Sequence, residues 1–333
     1  MMHKICVIAG DGIGKEVIES TVEVLKVLDL DIKFDYAEAG WDTFIKTGQS
    51  VPKETLDKIR ESDSCLAGAF TSPSKKIEGF QGAIRYMRRE LNLYANLRPA
   101  KTRPVAGCLE NVDMLMVREN TQGLYVERER RYDDVAIADA VVTKTASDRI
   151  ARVALKQAQK RKKELAIIHK ANVLPLTTGL FLDTAMAAAQ DYPEVHTYDV
   201  IVDAAAMRLV RYPSSFDVLV TTNLFGDILS DLMAGLVGGL GLAPSANIGD
   251  QYAIFEPVHG SAPDIAGKAI ANPTATILTA AMMLEHIGET EAAKRLDEVI
   301  NKVLSSGPLT PDLGGKANTK EFTDAVISNL VNQ

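Results

Sequence analysis

Two aspartates of the segment 223–231 stand four residues apart, at positions 227 and 231. On a helix this spacing stacks both carboxylates on one face, where they repel each other strongly unless something cationic lies between them. A hard cation such as Mg²⁺ or Mn²⁺ fits, and Asp203, after a strand-like segment, is a third candidate ligand. An acid in the first turn of a helix is favourable without any metal, which accounts for Asp227 but not for Asp231. The spacing therefore favours a metal site.

Four arginines have the spacing of an anion pocket. The run 82–91 predicts a helix, on which Arg85 and Arg88 are neighbours because they lie three residues apart. Arg98 follows shortly, and Arg118 closes a strand-like segment. Clustered guanidinium groups repel one another unless an anion or carboxylates lie among them, and each can pair with a carboxylate in bidentate fashion. A bound anion and a helix face paired with nearby glutamates both fit this pattern.

Polar side chains also follow three strand-like segments, at 118–120, 169–172 and 222–223. Ligands of α/β sheets bind beyond the carboxyl ends of the strands, so the repetition indicates one site. Lys170, if placed beside arginines and a metal, is a usable base, and Tyr125 is a candidate proton donor. Each of these residues also has an ordinary structural interpretation, and we interpret His169 as a hydrogen-bonded core residue.

The glycines of the segment 10–14 alternate between a strand-like segment and a helix. This spacing is not the G-x-G-x-x-G of the Rossmann dinucleotide fold, and no Walker lysine pattern occurs in the sequence. A tight turn from strand to helix explains the glycines without a ligand.

Composition excludes several classes of protein. The chain has 333 residues and a formal net charge of -7 from interspersed charges, so it lacks the basic face that nucleic acid requires. The longest apolar stretch, 232–244, is too short and glycine-rich to span a bilayer, and we find no signal-peptide pattern, which predicts a cytoplasmic protein. The three cysteines lack disulfide or zinc spacing, and we expect them to be small buried hydrophobes.

Short apolar runs alternate with segments in which apolar residues recur three and four positions apart, as on one face of a helix. This alternation is typical of an α/β protein. Proline-rich residues 99–104 and residues 247–252 are candidate crossings between two lobes. The charged segment 127–134 fits either a solvated loop or an arm that reaches a partner subunit. The predicted strands are 4–8, 65–70, 112–117, 165–168, 198–202 and 216–221, and the predicted helices are 147–162, 176–190, 226–237, 274–287 and 291–304.

These residues together resemble the β-decarboxylating dehydrogenases, the family of isocitrate, isopropylmalate and homoisocitrate dehydrogenases. The resemblance covers essentially the whole chain, and the combination of motifs in this order is highly specific. It is carried by residues 10–14 (GDGIG), 94–99 (YANLRP), 118–121 (RENT), 170–172 (KAN), 223–231 (NLFGDILSD) and 259–267 (HGSAPDIAG).

The resemblance implies a fold like that of isopropylmalate dehydrogenase, with an α/β architecture, a non-Rossmann cofactor site and two lobes. The large cofactor-binding lobe would comprise residues 1–99 and 253–333, and the small lobe, with the metal site and dimer interface, residues 100–252. It also implies a homodimer with shared active sites, with a tetramer as the larger alternative, in which Lys170 and Asp203 enter the partner's site.

The resemblance further implies roles for individual residues. Lys170 would take the hydroxyl proton of the substrate as hydride leaves for the nicotinamide, and Tyr125 would protonate the enol after CO2 departs. Asp203, Asp227 and Asp231 would hold Mg²⁺ or Mn²⁺. The implied contacts to the substrate are Ser72, Arg85, Arg88, Arg98, Arg118, Tyr125, Lys170 and Asn172.

The cofactor implied is NAD. Relatives that use NADP carry a lysine and a tyrosine where this chain has Asp264 and Ile265. A carboxylate accepts hydrogen bonds from ribose hydroxyls and repels a 2′-phosphate. The implied cofactor contacts are Ile13, His259, Gly260, Ser261, Ala262, Asp264, Ile265 and Asn272.

Residues 70–73 and 79–89 look most like those of homoisocitrate dehydrogenases. Isopropylmalate enzymes have an apolar pocket there. Burying an unpaired Arg85 beside an isopropyl group would cost free energy of desolvation, so we expect a third carboxylate on the substrate. Homoisocitrate and isocitrate differ by one methylene and are not separated by the sequence. Isopropylmalate is the alternative substrate, and a non-catalytic regulatory subunit of a heteromeric NAD isocitrate dehydrogenase is an alternative of another class. Gln122, Ala204 and Arg208 depart from the residues usual in relatives.

Overall fold

The structure is a computed structural model that describes residues 2–75 and 77–332. It divides into two compact units. Unit 1 comprises residues 1–92, 103–108 and 238–333, and unit 2 comprises residues 93–102 and 109–237. Each unit contains a run of five neighbouring strands, and every site residue can be assigned to one of the two units.

Strands and helices alternate along most of the chain. The elements in order are β1 (His3–Ile8), α1 (Gly14–Lys26), β2 (Ile32–Ala37), α2 (Trp41–Thr47), α3 (Lys53–Arg60), β3 (Ser64–Ala67), α4 (Ala83–Glu90), β4 (Ala95–Lys101), β5 (Asp113–Glu119), β6 (Glu129–Tyr132), β7 (Val135–Ala138), α5 (Lys144–Gln159), β8 (Glu164–His169), α6 (Thr178–Ala189), β9 (His196–Ile201), α7 (Val202–Arg211), β10 (Val218–Thr221), α8 (Asn223–Leu236), β11 (Pro244–Ile248), β12 (Ala253–Pro257), α9 (Thr274–His286), α10 (Thr290–Ser306) and α11 (Thr319–Val331).

The sheet of unit 1 has the strand order β2-β1-β3-β12-β11. The pairs β1/β2, β1/β3 and β3/β12 are parallel, and β11 and β12 form an antiparallel hairpin. Helix α9 packs on both strands of this hairpin and on α10. Its first eight residues are all buried, which explains why its sequence is apolar on every face rather than on one stripe.

The sheet of unit 2 has the order β4-β5-β10-β8-β9, with β4 antiparallel to β5 and the other pairs parallel. Thr221 of β10 is in register with Arg118 of β5 and with Ile168 of β8. The carboxyl ends of these three strands are therefore level, and the polar segments that follow them start from the same edge of the sheet. The sequence predicts one site from this arrangement of polar segments at the strand ends.

Local sequence signals account for several helix boundaries. Thr143 caps α5 by accepting a hydrogen bond from the Ala146 N–H, and Asn318 and Glu321 form a reciprocal capping box at the start of α11. The α/β alternation is confirmed, and each strand and helix predicted from periodicity overlaps an element of the structure.

The crossings between the units differ from the predicted ones, which are after residues 99 and 252. The structure places them after residues 92 and 237, with residues 103–108 returning to unit 1. Residues 247–252 are instead the end of β11 and the turn to β12, so they lie inside unit 1. Pro99 stands within β4, opposite Leu115, and does not end the strand.

The segment 127–134 is neither a simple loop nor part of the core. Strands β6 and β7 pair as an antiparallel hairpin in which every residue is exposed. Tyr132, Val135 and Ile137 are large apolar side chains on this exposed hairpin.

Over residues 2–75 and 77–332, no helix is long and apolar enough to cross a membrane.

Candidate active site

Unit 2 gathers five of the predicted site residues into a carboxylate–arginine cluster, defined here as Arg98, Arg118, Tyr125, Asp227 and Asp231. Helix α8 presents both aspartates on one face, as the spacing predicts. The Arg98 Nη1 lies 3.0 Å from Asp231 Oδ1 and 3.3 Å from Asp227 Oδ1, and the Arg118 Nη1 lies 2.5 Å from Asp227 Oδ1. The cation between the two carboxylates is thus a guanidinium in this structure, which the sequence argument for a metal did not foresee.

Arg118 is the most enclosed member of the cluster, with 1% of its surface exposed. Arg118 is the last residue but one of β5, and a buried guanidinium must be paired to offset its desolvation. Its Nε donates to the Asn223 carbonyl at 3.0 Å, and its Nη2 donates to Asn223 Oδ1 at 2.7 Å. Arg118 therefore presents a buried positive charge that attracts carboxylates. The carboxylate of Asp227 contacts its Nη1 edge.

Tyr125 lies in a single turn of 3₁₀ helix, Leu124–Val126, after the loop that follows β5. Its hydroxyl donates to Asp227 Oδ2 at 2.6 Å, and Arg118 lies over its ring at 5.1 Å from the centroid. Burial, followed by the hydrogen bond to Asp227, raises the pKa of Tyr125 above its usual value. Tyr125 therefore keeps its proton at neutral pH, as a proton donor must.

The carboxyl groups of α8 also affect each other. Burial raises the pKa of Asp231, and the charge of Asp227 adds to this effect while Arg98 and Arg118 oppose it. Within the described part of this single chain, no three histidine, cysteine or acidic side chains converge on a point that could hold a metal ion. Asp203, the third predicted ligand, lies elsewhere in unit 2, and the predicted ligand set stays a prediction.

Lys170 and Asp203 form a pair of their own. Lys170 follows β8, Asp203 lies in the first turn of α7, and their Nζ and Oδ1 atoms are 2.8 Å apart. This contact lowers the pKa of the Asp203 carboxyl. Within one chain, the Lys170 ammonium therefore contacts a carboxylate and not the arginines that the sequence argument places beside it. Asn172, two residues on, is exposed.

His169 orients the segment that carries Lys170. Its buried ring contacts Asp199 Oδ2 through Nε2 at 3.0 Å and accepts the Ala171 N–H through Nδ1 at 3.0 Å. The sequence interpretation of His169 as a hydrogen-bonded core residue is confirmed.

The two neighbouring arginines of α4, in unit 1, have different environments. Arg88 is buried and donates to Glu256 Oε1 at 2.9 Å and to Asn247 Oδ1 at 2.8 Å, both on the β11–β12 hairpin. Arg85 is exposed, and its guanidinium lies against Gly82. Ser72 is exposed in the loop after β3. The carboxylate paired with Arg88 comes from a distant strand and not from the helix face.

The glycine-rich turn of unit 1 packs directly on the predicted cofactor loop. Gly12 has φ +54, and a Cβ there would lie 2.1 Å from the Ser261 carbonyl oxygen. The Ile13 N–H donates to that same carbonyl at 3.0 Å. The buried carboxylate of Asp11 fixes the turn by accepting three backbone N–H groups, from Trp41, Asp42 and Thr71. The glycines are thus explained by close backbone approach, as the tight-turn interpretation requires.

The loop after β12 contains a buried polar atom without a partner. His259 Nδ1 donates to the Gly260 carbonyl at 3.0 Å, whereas its buried Nε2 has no hydrogen-bond partner among residues 2–75 and 77–332. Burial lowers the pKa of His259, so the ring is neutral and Nε2 is an acceptor. Ala262 has φ +38, an uncommon conformation for a residue with a Cβ, and such outliers concentrate at functional loops. An unused acceptor in a strained loop fits a ligand that brings a hydrogen-bond donor.

The other predicted cofactor residues surround this loop. Ile265 and Ala262 pack with Ile13, while Asp264 and Gly260 are exposed. Asn272 is buried, but its amide donates to Asp312 and its Oδ1 accepts the Thr274 N–H. Both polar ends of the Asn272 side chain are therefore engaged inside unit 1, which the sequence could not indicate.

The three residues that depart from the family pattern each have identifiable contacts. The Gln122 side chain accepts the Thr143 N–H at 3.0 Å and donates to Thr143 Oγ1 at 3.0 Å, a two-way clip that a glutamate could not make. Arg208 stacks over Phe216 at 4.7 Å from the ring centroid. Ala204 packs against the apolar core of unit 2. Gln122 thus ties the loop before Tyr125 to the cap of α5.

Comparison with known proteins sets this site in a family. The model of the isocitrate/isopropylmalate dehydrogenase family matches residues 4–326, which is nearly the whole chain. The chain belongs to the isocitrate/isopropylmalate dehydrogenase family. It is 63% identical to the isocitrate/homoisocitrate dehydrogenase of Thermus thermophilus over 331 residues, which cover 99% of both chains. It is 51% identical to the 3-isopropylmalate dehydrogenase of Archaeoglobus fulgidus, over 99% of this chain and 100% of that protein.

The fold agrees with that of solved members of the family. The crystal structure of isocitrate dehydrogenase from Methylococcus capsulatus matches with a TM-score of 0.95 at 44% sequence identity, covering 99% of both chains. The predicted isopropylmalate-dehydrogenase-like α/β fold is confirmed. The protein is therefore an enzyme of the β-decarboxylating dehydrogenase family, whose members typically use a nicotinamide cofactor and a divalent metal.

Proposed function

We propose that this enzyme catalyses the NAD-dependent oxidative decarboxylation of a tricarboxylic 2-hydroxy acid, homoisocitrate or isocitrate, to the 2-oxo acid and CO2. The observation that carries the proposal is the cluster in unit 2, where two buried arginines and a protonated tyrosine converge on the carboxylates of α8. Arginines bind substrate carboxylates, and Tyr125 holds the proton that must be delivered after CO2 is lost.

The donor set fits a divalent metal. Asp227, Asp231 and the partner subunit's Asp203 would supply carboxylate oxygens only, the ligands that Mg²⁺ and Mn²⁺ prefer. The bound ion would stabilise negative charge that develops on the substrate oxygen. When it binds, the Arg98 guanidinium that bridges the two aspartates would turn to the substrate carboxylate instead.

Side chains of the protein would bind the substrate and transfer the protons. Arg88, Arg98 and Arg118 would bind the carboxylates of the malate core, with Ser72 and Asn172 as additional contacts. Lys170, as the neutral amine, would accept the hydroxyl proton while the hydride passes from the substrate carbon to the nicotinamide. The C–C bond to the β-carboxylate then breaks and releases CO2. Tyr125 would finally give a proton to the carbon that lost the carboxylate, and the proton held by Lys170 would replace it, so that one proton leaves oxygen, one reaches carbon and both side chains are restored.

The cofactor loop of unit 1 supports NAD as the oxidant that accepts the hydride. The unpartnered Nε2 of His259 would accept a hydrogen bond from the cofactor, and Asp264, on the exposed side of the loop, would accept those of a ribose. Ile13, Gly260, Ser261, Ala262, Ile265 and Asn272 would shape the loop around it.

We propose a cytoplasmic homodimer, with a tetramer as an alternative, in which the pair Lys170–Asp203 serves the site of the other subunit. Two features of unit 2 support this assembly. Lys170 pairs with Asp203 and not with the cluster of its own chain. The exposed β6–β7 hairpin carries three large apolar side chains, as an arm that packs on a partner would.

The choice of substrate rests on Arg85. If Arg85 binds the third carboxylate, Arg85→Val should lower kcat/KM for isocitrate and homoisocitrate by roughly tenfold to 150-fold, since a hydrogen bond to a charged group is worth about 1.5–3 kcal/mol. Isopropylmalate should gain, because valine offers apolar surface to its methyl groups. Arg89→Val is the matched control, because Arg89 is also exposed on α4 and contacts Gln81 and Glu90.

The assay is NADH formation from isocitrate, homoisocitrate, isopropylmalate and malate in parallel, with both variants and the unmodified enzyme. A shift in preference toward isopropylmalate in Arg85→Val, absent from Arg89→Val, supports the proposal. If isopropylmalate is already the best substrate of the unmodified enzyme, the chain is an isopropylmalate dehydrogenase, the alternative that the Archaeoglobus relative suggests. An equal loss on every substrate would make Arg85 a structural residue.

A further inference from the structure

Asn223, the first residue of α8, encloses one whole edge of the Arg118 guanidinium. Its Oδ1 accepts from Arg118 Nη2 at 2.7 Å and from Nε at 3.1 Å, and its carbonyl accepts from the same Nε at 3.0 Å. Asn223 is 1% exposed, and within the part of the chain that the structure describes its Nδ2 has no hydrogen-bond partner. A buried side chain that leaves its own donor unused while its acceptor serves an arginine is arranged around that arginine.

Gly226, one turn further along α8, makes room for the stem of the same side chain. A Cβ at position 226 would lie 2.6 Å from Arg118 Cγ and 2.8 Å from Arg118 Cβ. Any other residue there would push the Arg118 stem away from the helix. Gly235, on the same helix, is different, because a Cβ added there meets nothing within 4 Å.

We propose that Asn223 and Gly226 are positioning residues that hold Arg118 in the one orientation that presents its Nη1 edge to Asp227 and to a substrate carboxylate. Asn223 fixes the Nε and Nη2 edge, and Gly226 fixes the path of the aliphatic stem. The inference rests on the proposed role of Arg118 in binding the hydroxy acid. The sequence argument noted Asn223 only as one of the polar residues that follow the strands, and it gave Gly226 no role.

Asn223→Ala tests the hydrogen-bonded half of the proposal. The KM for the hydroxy acid should rise roughly tenfold to a hundredfold, because two charge-assisted bonds that orient Arg118 are lost. The KM for NAD should stay within about twofold, since Asn223 belongs to unit 2 and the proposed cofactor contacts belong to unit 1. Direct binding of the hydroxy acid, measured by calorimetry with no NAD present, should weaken by the same factor as the KM rises.

A double-mutant cycle separates positioning from a general effect on folding. Lysine at position 118 cannot make the forked contact with Asn223, so Asn223→Ala should change the KM by less than about twofold in the Arg118→Lys background. A residue that merely stabilises the fold would instead give additive effects. Gly226→Ala should reproduce the KM effect by a steric route, and Gly235→Ala should leave KM and kcat unchanged.

Three outcomes would overturn the inference. They are an unchanged KM in Asn223→Ala, additive effects in the cycle, or an equal response of Gly226→Ala and Gly235→Ala. If Gly226→Ala does not fold, the Asn223 cycle still decides the question. If the unmodified enzyme neither binds nor oxidises any of the four hydroxy acids, the proposed function itself fails and the inference falls with it. Turnover by the unmodified enzyme combined with additivity would reject the positioning role alone.

Discussion

Tyr125→Phe removes one hydroxyl group and leaves the rest of the cluster in place. The ring, and the guanidinium of Arg118 that lies 5.1 Å above it, are retained. The bond that is lost is the 2.6 Å contact with Asp227, whose side chain is 35% exposed. Because water can replace the hydroxyl there, we expect a loss of only about 1 kcal/mol in the free energy of unfolding.

The expected effect on catalysis is much larger. Delivery of a proton by a positioned acid is worth about 10²–10⁴ in rate, or about 3–5 kcal/mol, so kcat should fall by that factor while the fold persists. The assay combines initial rates of NADH formation with chemical denaturation of the same samples. Tyr36→Phe is the control, because Tyr36 is exposed in unit 1 and distant in sequence from every proposed site residue.

Mixed dimers extend the test to the shared site. Neither Tyr125→Phe nor Lys170→Met should be active alone, but a hybrid of the two contains one site with both groups intact. Random exchange makes half of the dimers hybrids, so about a quarter of the unmodified activity should return. Two results would refute the reasoning: a kcat in Tyr125→Phe within about threefold of the parent, or no recovery despite subunit exchange shown by mass spectrometry.

Three further outcomes are expected. Chelation should abolish turnover and Mg²⁺ or Mn²⁺ should restore it, because the proposed ligands are all oxygens; full turnover of metal-free enzyme, verified by elemental analysis, would contradict this. NAD should give the higher kcat/KM, and replacing Asp264 by lysine together with Ile265 by tyrosine should shift the preference to NADP; equal efficiency of the unmodified enzyme with both cofactors would reject the role of Asp264. The folded state depresses the pKa of His259, so the unfolded state binds its proton first and the free energy of unfolding should decline as the pH drops below about 6.5. His259→Gln should lose part of that decline in denaturation at a series of pH values, and an unchanged slope would show that another group is responsible.

The sequence predicted best where one periodic signal dominates. Helix α8 has apolar residues on one stripe and two aspartates on the opposite side, so both the helix and its carboxylate pair were predictable. The strands β8 and β10 are continuously buried and read as short apolar runs. For the β6–β7 hairpin, the sequence marked only the segment 135–144 as strand-like. Strand β6 and its pairing with β7 were missed because all residues of the hairpin are exposed and no alternation marks its faces.

Contacts between distant residues were the least predictable part of the site. Arg98 lies 3.0 Å from Asp231 although the two are far apart in sequence, and spacing along one helix cannot reveal such a partner. The pairing of Arg88 with Glu256 was unpredictable for the same reason, and so were the contacts of Asn223 and Gly226 with Arg118. Sequence patterns thus identified the charged groups, whereas the fold determined which charges meet.

The discontinuous composition of unit 1 has a consequence for the growing polypeptide. Cys65 of β3 pairs in register with Ile254 of β12, so the middle of this sheet joins segments separated by about 190 residues of chain. Ribosomes add about 5–20 residues per second, so roughly 10–40 seconds pass between the synthesis of β3 and that of its partner strand β12. All five strands of the unit 2 sheet are synthesised in that interval. The nascent chain should therefore complete unit 2 first and expose the unpaired edge of β3 to chaperones until β12 emerges.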